Sequence, residues 1–237
     1  MSEFLDARVL VVGGSSGIGL ATAAAFAAAG ARVTIASRSA DKLAAAAGAI
    51  AQGVTTAVLD VTSDDDVAAF FAAGEPWDHA VVSAAQTRGG PARQLPMDDA
   101  QAAMNSKFWG AYRVARALRL REGGSLTLVS GQASQRPRGN AVLQGAINSA
   151  LETLARGLAL ELAPLRVNCV SPGTIDTPMW NRLADDARRA MFAETAQRLP
   201  VGRVGRPEDI AKAVLYLAGN GFATGTVLLC EGGSVLV

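Results

Sequence analysis

RVLVVGGSSGIGLATAAAFAAAG, residues 8–30, decides the fold. RVLVVG is apolar without alternation, the pattern of a strand buried on both faces. Gly13, Gly14, Gly17 and Gly19 follow, and then an alanine-rich helical segment. Strand, glycine turn and helix in that order make a phosphate cradle. Glycine lets backbone N–H groups approach closely, and the helix N-terminus adds unsatisfied donors and partial positive charge. Gly13, Ser15, Ser16, Gly17, Ile18 and Gly19 are therefore the candidate pyrophosphate residues.

Outward from this unit the alternation repeats. Strands are expected at 32–37, 55–60, 79–84, 125–130, 166–171 and 226–231, with helical segments between them. TSDDDVAAFFAAG offers Thr62 or Ser63 as N-cap, three acids in the first turn and Gly74 as a stop. RPEDIAKAVLYLAG places Pro207 at a helix start and Gly219 beyond its end. Strand–helix alternation throughout predicts an α/β fold: a doubly wound parallel sheet of about seven strands, helices on both faces, as a single domain over 1–237. Ligands of such sheets lie beyond the carboxyl ends of the strands, where strand order reverses.

Composition narrows the function. The chain has 237 residues, 50% hydrophobic and 18% charged, with net charge +1, which gives no electrostatic case for nucleic acid. No apolar run approaches the ~20 residues of a membrane span, and the acidic N-terminal stretch is unlike a signal peptide, so a cytoplasmic protein without membrane or nucleic-acid partners is expected. Arg113, Arg116, Arg119 and Arg121 read as a solvated helix face. Cys169 and Cys230 lack metal-ligand spacing and read as buried, reduced thiols; no metal site is expected.

The Gly-x-x-x-Gly-x-Gly spacing resembles that of the short-chain dehydrogenase/reductase family, and further landmarks follow in order along nearly the whole chain. The resemblance implies a Rossmann-like fold, hydride transfer with a nicotinamide cofactor, and a homo-oligomer, tetramer or dimer. Asp60-Val61 is similar to the pair around the adenine, and Ala84 falls in the family's cofactor turn after the fourth strand. Asn105 in MNSKFWG resembles the family's helix asparagine, which holds a proton-relay water. SPGTIDTP, with Pro172, Gly173, Ile175 and Thr177, resembles the loop at the nicotinamide. RVGRPEDIA and TGTVLLCEGG resemble the C-terminal segments.

At the end of the second strand, NAD-binding sheets usually carry an acid that accepts from the ribose hydroxyls. Here stand Ser37 and Arg38. The missing acid removes repulsion toward a 2′-phosphate, and a guanidinium can clamp it, which favours NADP(H) over NAD(H).

The reacting end departs from the family. Its tetrad uses a Tyr hydroxyl as acid or base, a Lys four residues on, a Ser at the substrate oxygen and an Asn. Counting back from the SPG loop puts Gln144 at the Tyr position and Asn148 at the Lys position. The Ser position falls on Gly131, with Ser130 beside it as a substitute, and Val82-Ser83-Ala84-Ala85 replaces Asn-Asn-Ala-Gly. Asn105, Ser130, Gln144 and Asn148 are thus the candidate catalytic residues. A carboxamide cannot be tuned to titrate near neutrality, although it can hold a ribose or polarise a substrate oxygen.

Tyr112 and Arg116 are also four apart, but on the helix of Asn105, where a structural role is expected. His79, at the strand end away from the cofactor, is expected to be structural too. Arg88, Arg136 and Arg138 lie on loops suited to an anionic substrate. Residues 176–200, with Met179, Trp180, Met191, Phe192 and Leu199, read as an apolar substrate lid. The reading is an NADP(H)-dependent oxidoreductase with an atypical site, acting on a small carbonyl or alcohol. Two others stay open: a non-redox isomerase, lyase or cyclase that keeps a dinucleotide structurally, and a catalytically silent dinucleotide-binding regulator or hetero-oligomer partner.

Overall fold

The computed structural model describes residues 3–50, 53–72 and 74–237. Seven strands form one parallel sheet: β1 (Arg8–Val12), β2 (Arg32–Ser37), β3 (Thr55–Val58), β4 (Trp77–Val82), β5 (Leu120–Val129), β6 (Arg166–Pro172) and β7 (Val227–Cys230). Their order is β3-β2-β1-β4-β5-β6-β7, so the direction of winding reverses between β1 and β4. Among the described residues eight α-helices connect them: α1 (Gly17–Ala28), α2 (Ala40–Ala49), α3 (Asp64–Ala72), α4 (Met97–Met104), α5 (Gly110–Ala117), α6 (Val142–Glu161), α7 (Asp185–Arg198) and α8 (Pro207–Gly219).

The continuous apolar strands have the expected physical cause. Successive side chains of a strand point to opposite faces, and both faces of this sheet are covered. Val9 and Val11 of β1 join Phe26 of α1, Leu43 of α2 and Ile210 and Leu217 of α8 in one core. Leu10 and Val12 join Val67 of α3, Val114 of α5 and Leu151 and Leu158 of α6 in the other.

Helix starts follow the sequence signals, whereas α8 takes in Gly219, expected beyond its end, as its last residue. Ser63 Oγ accepts from Asp66 N at 3.1 Å, making Ser63 the α3 cap, while Thr62 turns back to Asp60. Pro207 opens α8, where the Asp209 carboxylate accepts from Arg206 N and is gripped by both terminal nitrogens of Arg203, at 2.6 and 3.0 Å. The far end of α8 is held by the buried Arg166 of β6, whose guanidinium donates to the carbonyls of Leu217, Ala218, Asn220 and Ala223.

Two expectations are corrected. The arginine run does not form one helix face, because α5 stops at Ala117. Arg119 instead donates to the Gly74 carbonyl, and Arg121, within β5, pairs with Glu75 and Asp78. The strands β4 and β5 also begin earlier than expected, since Trp77 pairs with Leu120 ahead of an irregularity between Trp77 and His79.

His79 is built into the core: Nδ1 lies 2.9 Å from Ser125 Oγ, and the ring meets Phe4 edge-on at 5.4 Å and stacks near Phe26. Burial, then the Arg166 charge, outweigh Asp78 and depress its pKa to about 4. Both cysteines are free, Cys169 buried and Cys230 half-buried. No helix among the described residues is long and apolar enough to cross a membrane, and no cluster of metal-ligating side chains occurs among them.

Candidate active site

At the winding reversal the chain packs too closely for side chains. A Cβ on Gly13 would lie 2.5 Å from Ala84 N, and one on Gly19 only 2.2 Å from the Gly13 carbonyl oxygen. Gly17 takes a positive φ of 52° as it leads into α1, a conformation that glycine adopts without a Cβ penalty. Ser16 caps α1 by position without a side-chain bond, and the first turn holds no acid. The first N–H groups of α1 are thus left for an anion, as a pyrophosphate requires. Ile18 is half-buried and packs against the core.

At the edge of this cradle Ser37 Oγ is buried with no hydrogen-bond partner, and Arg38 is exposed, its guanidinium donating to Gln86 Oε1. An orphaned hydroxyl beside a guanidinium suits a 2′-phosphate. Asp60 accepts from Thr62 N at 2.9 Å and Thr62 Oγ1 at 2.7 Å. Its burial alone would raise its pKa, but these bonds and the charges of Arg38 and Arg113 lower it. Val61 is buried against Gly110. Pro172 ends β6, and Gly173 passes Glu231 so closely that a Cβ would sit 2.7 Å from its Cα. Ile175 is buried and bridges Gly205. Thr177 lies against Gly17, 3.3 Å from where a Cβ would be, so the SPG loop closes over the cradle.

The candidate catalytic residues separate into two groups. Asn148 is buried and its amide nitrogen faces Gly131, where a Cβ would come within 2.9 Å. Gln144, one turn earlier on α6, donates to the Arg88 carbonyl at 2.5 Å, and its buried Oε1 has no partner. Ser130 is buried and gives its hydroxyl proton to Glu152 Oε1 at 2.9 Å, which commits it to the interior. Asn105 faces the other way: its Oδ1 accepts from Arg113 Nη1 at 2.8 Å.

Two residues outside the sequence-derived set complete the site. Lys107, in a π-helical turn spanning Asn105–Trp109, donates from Nζ to Asn148 Oδ1 at 2.6 Å and to the Ser130 carbonyl at 2.8 Å. Desolvation lowers its pKa to about 8, against the opposing pull of Cys169 and Glu152. Glu152, 2% exposed, gathers Ser130, Ser134 and Gln135. A lysine from the π-helical turn is thus delivered to the Asn148 amide of α6.

Beyond the SPG loop, a cleft of about 430 Å³ is lined by Arg136, Arg138, Thr174, Thr195, Arg198, Leu199, Ser234 and Val237. Arg136 donates to the Ser234 carbonyl at 2.6 Å. Partial burial and the like charges of Arg198 and Arg136 press the pKa of Arg138 down. Arg88 instead pairs with Asp99 at 3.0 Å. Over residues 176–200, Trp180 is tied to the Ile175 carbonyl and meets Phe192 edge-on at 6.2 Å; Met179 is exposed and Leu199 is buried. Of α7 only Thr195 is buried.

Comparison with known proteins agrees with this geometry. The family model described as enoyl-(acyl carrier protein) reductase matches residues 12–234. The short-chain dehydrogenase/reductase malC of Malbranchea aurantiaca is 32% identical, over 97% of this chain and 94% of its own. The chain is a short-chain dehydrogenase/reductase. A solved small-chain dehydrogenase in complex with NADPH shares 33% identity, with a TM-score of 0.85, covering 98% of this chain and 100% of its own. The MalC reductase/Diels–Alderase structure from the same Malbranchea species has a TM-score of 0.91 at 29% identity, covering 100% and 99%.

Within this short-chain dehydrogenase/reductase, Lys107 had a sequence signal that reading MNSKFWG for its asparagine alone overlooks. It is one of three lysines in the chain, among many arginines, and it sits in an apolar, aromatic helix segment. Arginine stays charged in any protein setting, whereas a desolvated lysine can give up its proton, so a lysine retained there is informative. Glu152 had a weaker signal, lying two turns from Gln144 on the same face of α6.

Proposed function

We propose that this reductase-family protein is an NADP(H)-dependent oxidoreductase with an atypical active site, interconverting a small carbonyl compound and its alcohol. The observation that carries the reading is the placement of Thr177 against Gly17. It brings the SPG loop against the glycine cradle, so the loop would hold the reactive end of a dinucleotide lying there; Lys107 and Asn148 meet just beyond β5. Ser37 and Arg38 support the phosphorylated cofactor, as does the NADPH-bound relative. When bound, the cofactor supplies or accepts hydride. Gly13–Gly19 would hold its pyrophosphate, Asp60 and Val61 its adenine end, and Ala84, Pro172, Gly173, Ile175 and Thr177 its nicotinamide end.

The arginine-lined cleft beside Thr174 supports a substrate carrying a negative charge. Protomers are proposed to associate as a homo-oligomer, tetramer or dimer. The reading is tested by thermal unfolding with saturating NADPH, NADP⁺, NADH or NAD⁺, followed by a carbonyl and alcohol panel at the nicotinamide absorbance. NADPH at a hundred times its Kd should stabilise by about 2.7 kcal/mol. No stabilisation by either phosphorylated cofactor overturns the reading.

A second reading is favoured by Gln144 at the expected tyrosine position and by similarity to a reductase/Diels–Alderase. In it the site organises a non-redox reaction around a bound dinucleotide. Stabilisation by NADPH without turnover across the panel would select this reading or a silent sensor.

A further inference from the structure

An ammonium has three N–H donors. Two of those on Lys107 are used, by Asn148 Oδ1 and the Ser130 carbonyl, and the third meets no acceptor among the described residues. No carboxylate among those residues lies within ion-pair distance of Nζ. On α6, which supplies Asn148, there is also an unused acceptor: the buried Gln144 Oε1 lacks a partner. Residues four apart on a helix share a face, so Gln144 lies one turn from the Asn148 that holds Lys107. A donor and an acceptor both unfilled at one site match a hydroxyl group, or the carbonyl oxygen that becomes one.

The π-helical turn explains how lysine arrives here. A π turn carries one extra residue and redirects side chains, and such turns concentrate at functional sites. Asn105 and Lys107 leave opposite sides of it, one toward Arg113 and the other into the site.

We propose that Lys107 is the catalytic acid–base residue of this enzyme, replacing from a different helix the tyrosine–lysine pair that α6 lacks. The inference rests on the oxidoreductase reading above. In reduction, the substrate carbonyl carbon gains a C–H bond by accepting hydride, with its electron pair, from the dihydronicotinamide. The C=O π pair moves to oxygen and forms an O–H bond with a proton from Lys107 Nζ. The amine left behind recovers its proton from solvent. Carbonyl, dihydronicotinamide and one proton thus become alcohol and nicotinamide cation. Gln144 Oε1 accepts from the new hydroxyl, and Asn148 is the positioning residue for the ammonium. Around Nζ stand Ser130 just after β5, Asn148 and Glu152 of α6 and Cys169 of β6; burial holds the thiol up, at about 11, so it stays neutral through the working range.

The test compares Lys107→Arg and Lys107→Met with wild type. Both should lose roughly 10²–10⁴-fold in kcat for carbonyl reduction while keeping NADPH affinity. Arginine keeps the charge and the hydrogen-bonding but cannot release a proton, so a merely structural ammonium would be rescued by it. Wild-type reduction should also fall as pH rises through about 8. Retained turnover in Lys107→Arg overturns the proposal.

If the wild type reduces no carbonyl in the panel, the hydride-transfer reading fails on its own, and a second measurement judges Lys107. With three lysines in the chain, ¹³Cε-lysine NMR gives three signals, and Lys107→Arg assigns the one that matters. Titration well below the other two, with a shift on adding NADP⁺, supports an ammonium at the reacting end. An ordinary value of about 10.4, or no response to NADP⁺, overturns it.

Discussion

The Lys107 ammonium and the Asn148 carboxamide meet at 2.6 Å, joining the π-helical turn to α6. A second ammonium introduced at residue 148 would therefore face the first. Two like charges 4 Å apart repel by about 4 kcal/mol at an effective dielectric near 20. The double replacement Gln144→Tyr with Asn148→Lys is expected to abolish turnover for this reason. Adding Lys107→Leu should relieve the conflict and yield a family-type reductase, read as NADPH oxidation with a carbonyl panel. Activity in the double variant equal to that of the triple would contradict the geometry.

Cofactor choice is expected to rest on the end of β2. Arg38→Asp should replace a 2′-phosphate clamp with an acid that repels the phosphate and accepts from ribose hydroxyls. A charged hydrogen bond contributes roughly 1.5–3 kcal/mol, so NADPH should weaken by about ten- to a hundredfold while NADH tightens. Titration calorimetry with both cofactors measures the switch, and an unchanged ratio refutes it.

Glu152 is a stability residue as much as a site residue. Its carboxylate is the common acceptor for Ser130, Ser134 and Gln135. Glu152→Ala removes the shared acceptor from the buried Ser130 and from Ser134 and Gln135 nearer the surface, and empties a buried position, so it should cost about 3 kcal/mol. Ser130→Ala removes one donor and leaves the other two, so its cost should be nearer 1 kcal/mol. Urea denaturation of both variants checks the order, and a milder Glu152→Ala would break the argument.

Acid should weaken the fold through His79. Unfolded, the imidazole binds a proton near pH 6.5; folded, it resists until about pH 4. Between those values the unfolded chain holds a proton that the folded chain does not. Stability is therefore full above pH 6.5, declines below it and levels off under about 4, a total of about 3 kcal/mol. His79→Phe, which keeps the ring contacts, should flatten that part of the denaturation-midpoint curve.

Substrate charge should be read by Arg138. Arg138→Ala is expected to raise KM for carboxylate-bearing carbonyls by about tenfold, for a charged hydrogen bond of ~1.5 kcal/mol, and to leave neutral carbonyls unaffected. Equal effects on both classes would remove the cleft from substrate recognition.

The strands, most of their boundaries to within a few residues, and the tight glycine turn after β1 were legible because they depend on local chemistry. Unbroken apolar runs mark strands covered on both faces, and glycines mark places without room for a Cβ, as Gly13 and Gly19 show. The reacting end was less legible, since its defining contacts span long separations in the chain. Lys107 reaches Asn148 across 41 residues, and no periodicity encodes that meeting. Ser130 illustrates the converse. Position alone made its hydroxyl a candidate for substrate, but Glu152 had already taken its proton. The arginine series looked like one helix face until the end of α5 at Ala117 split it.

The Ile175–Gly205 bridge fastens both ends of the intervening cover together: Asp176 N donates to the Gly205 carbonyl at 2.9 Å, and Gly205 N to the Thr174 carbonyl at 2.9 Å. Arg166 anchors the strand just ahead of it to the end of α8. A stretch whose two ends share one clasp is an interchangeable cassette. Its length and composition can vary without displacing the sheet, because its closure entropy changes only slowly with length. Transplanting residues 177–203 between relatives should move substrate range along with the cassette, and leave the cofactor preference with the host.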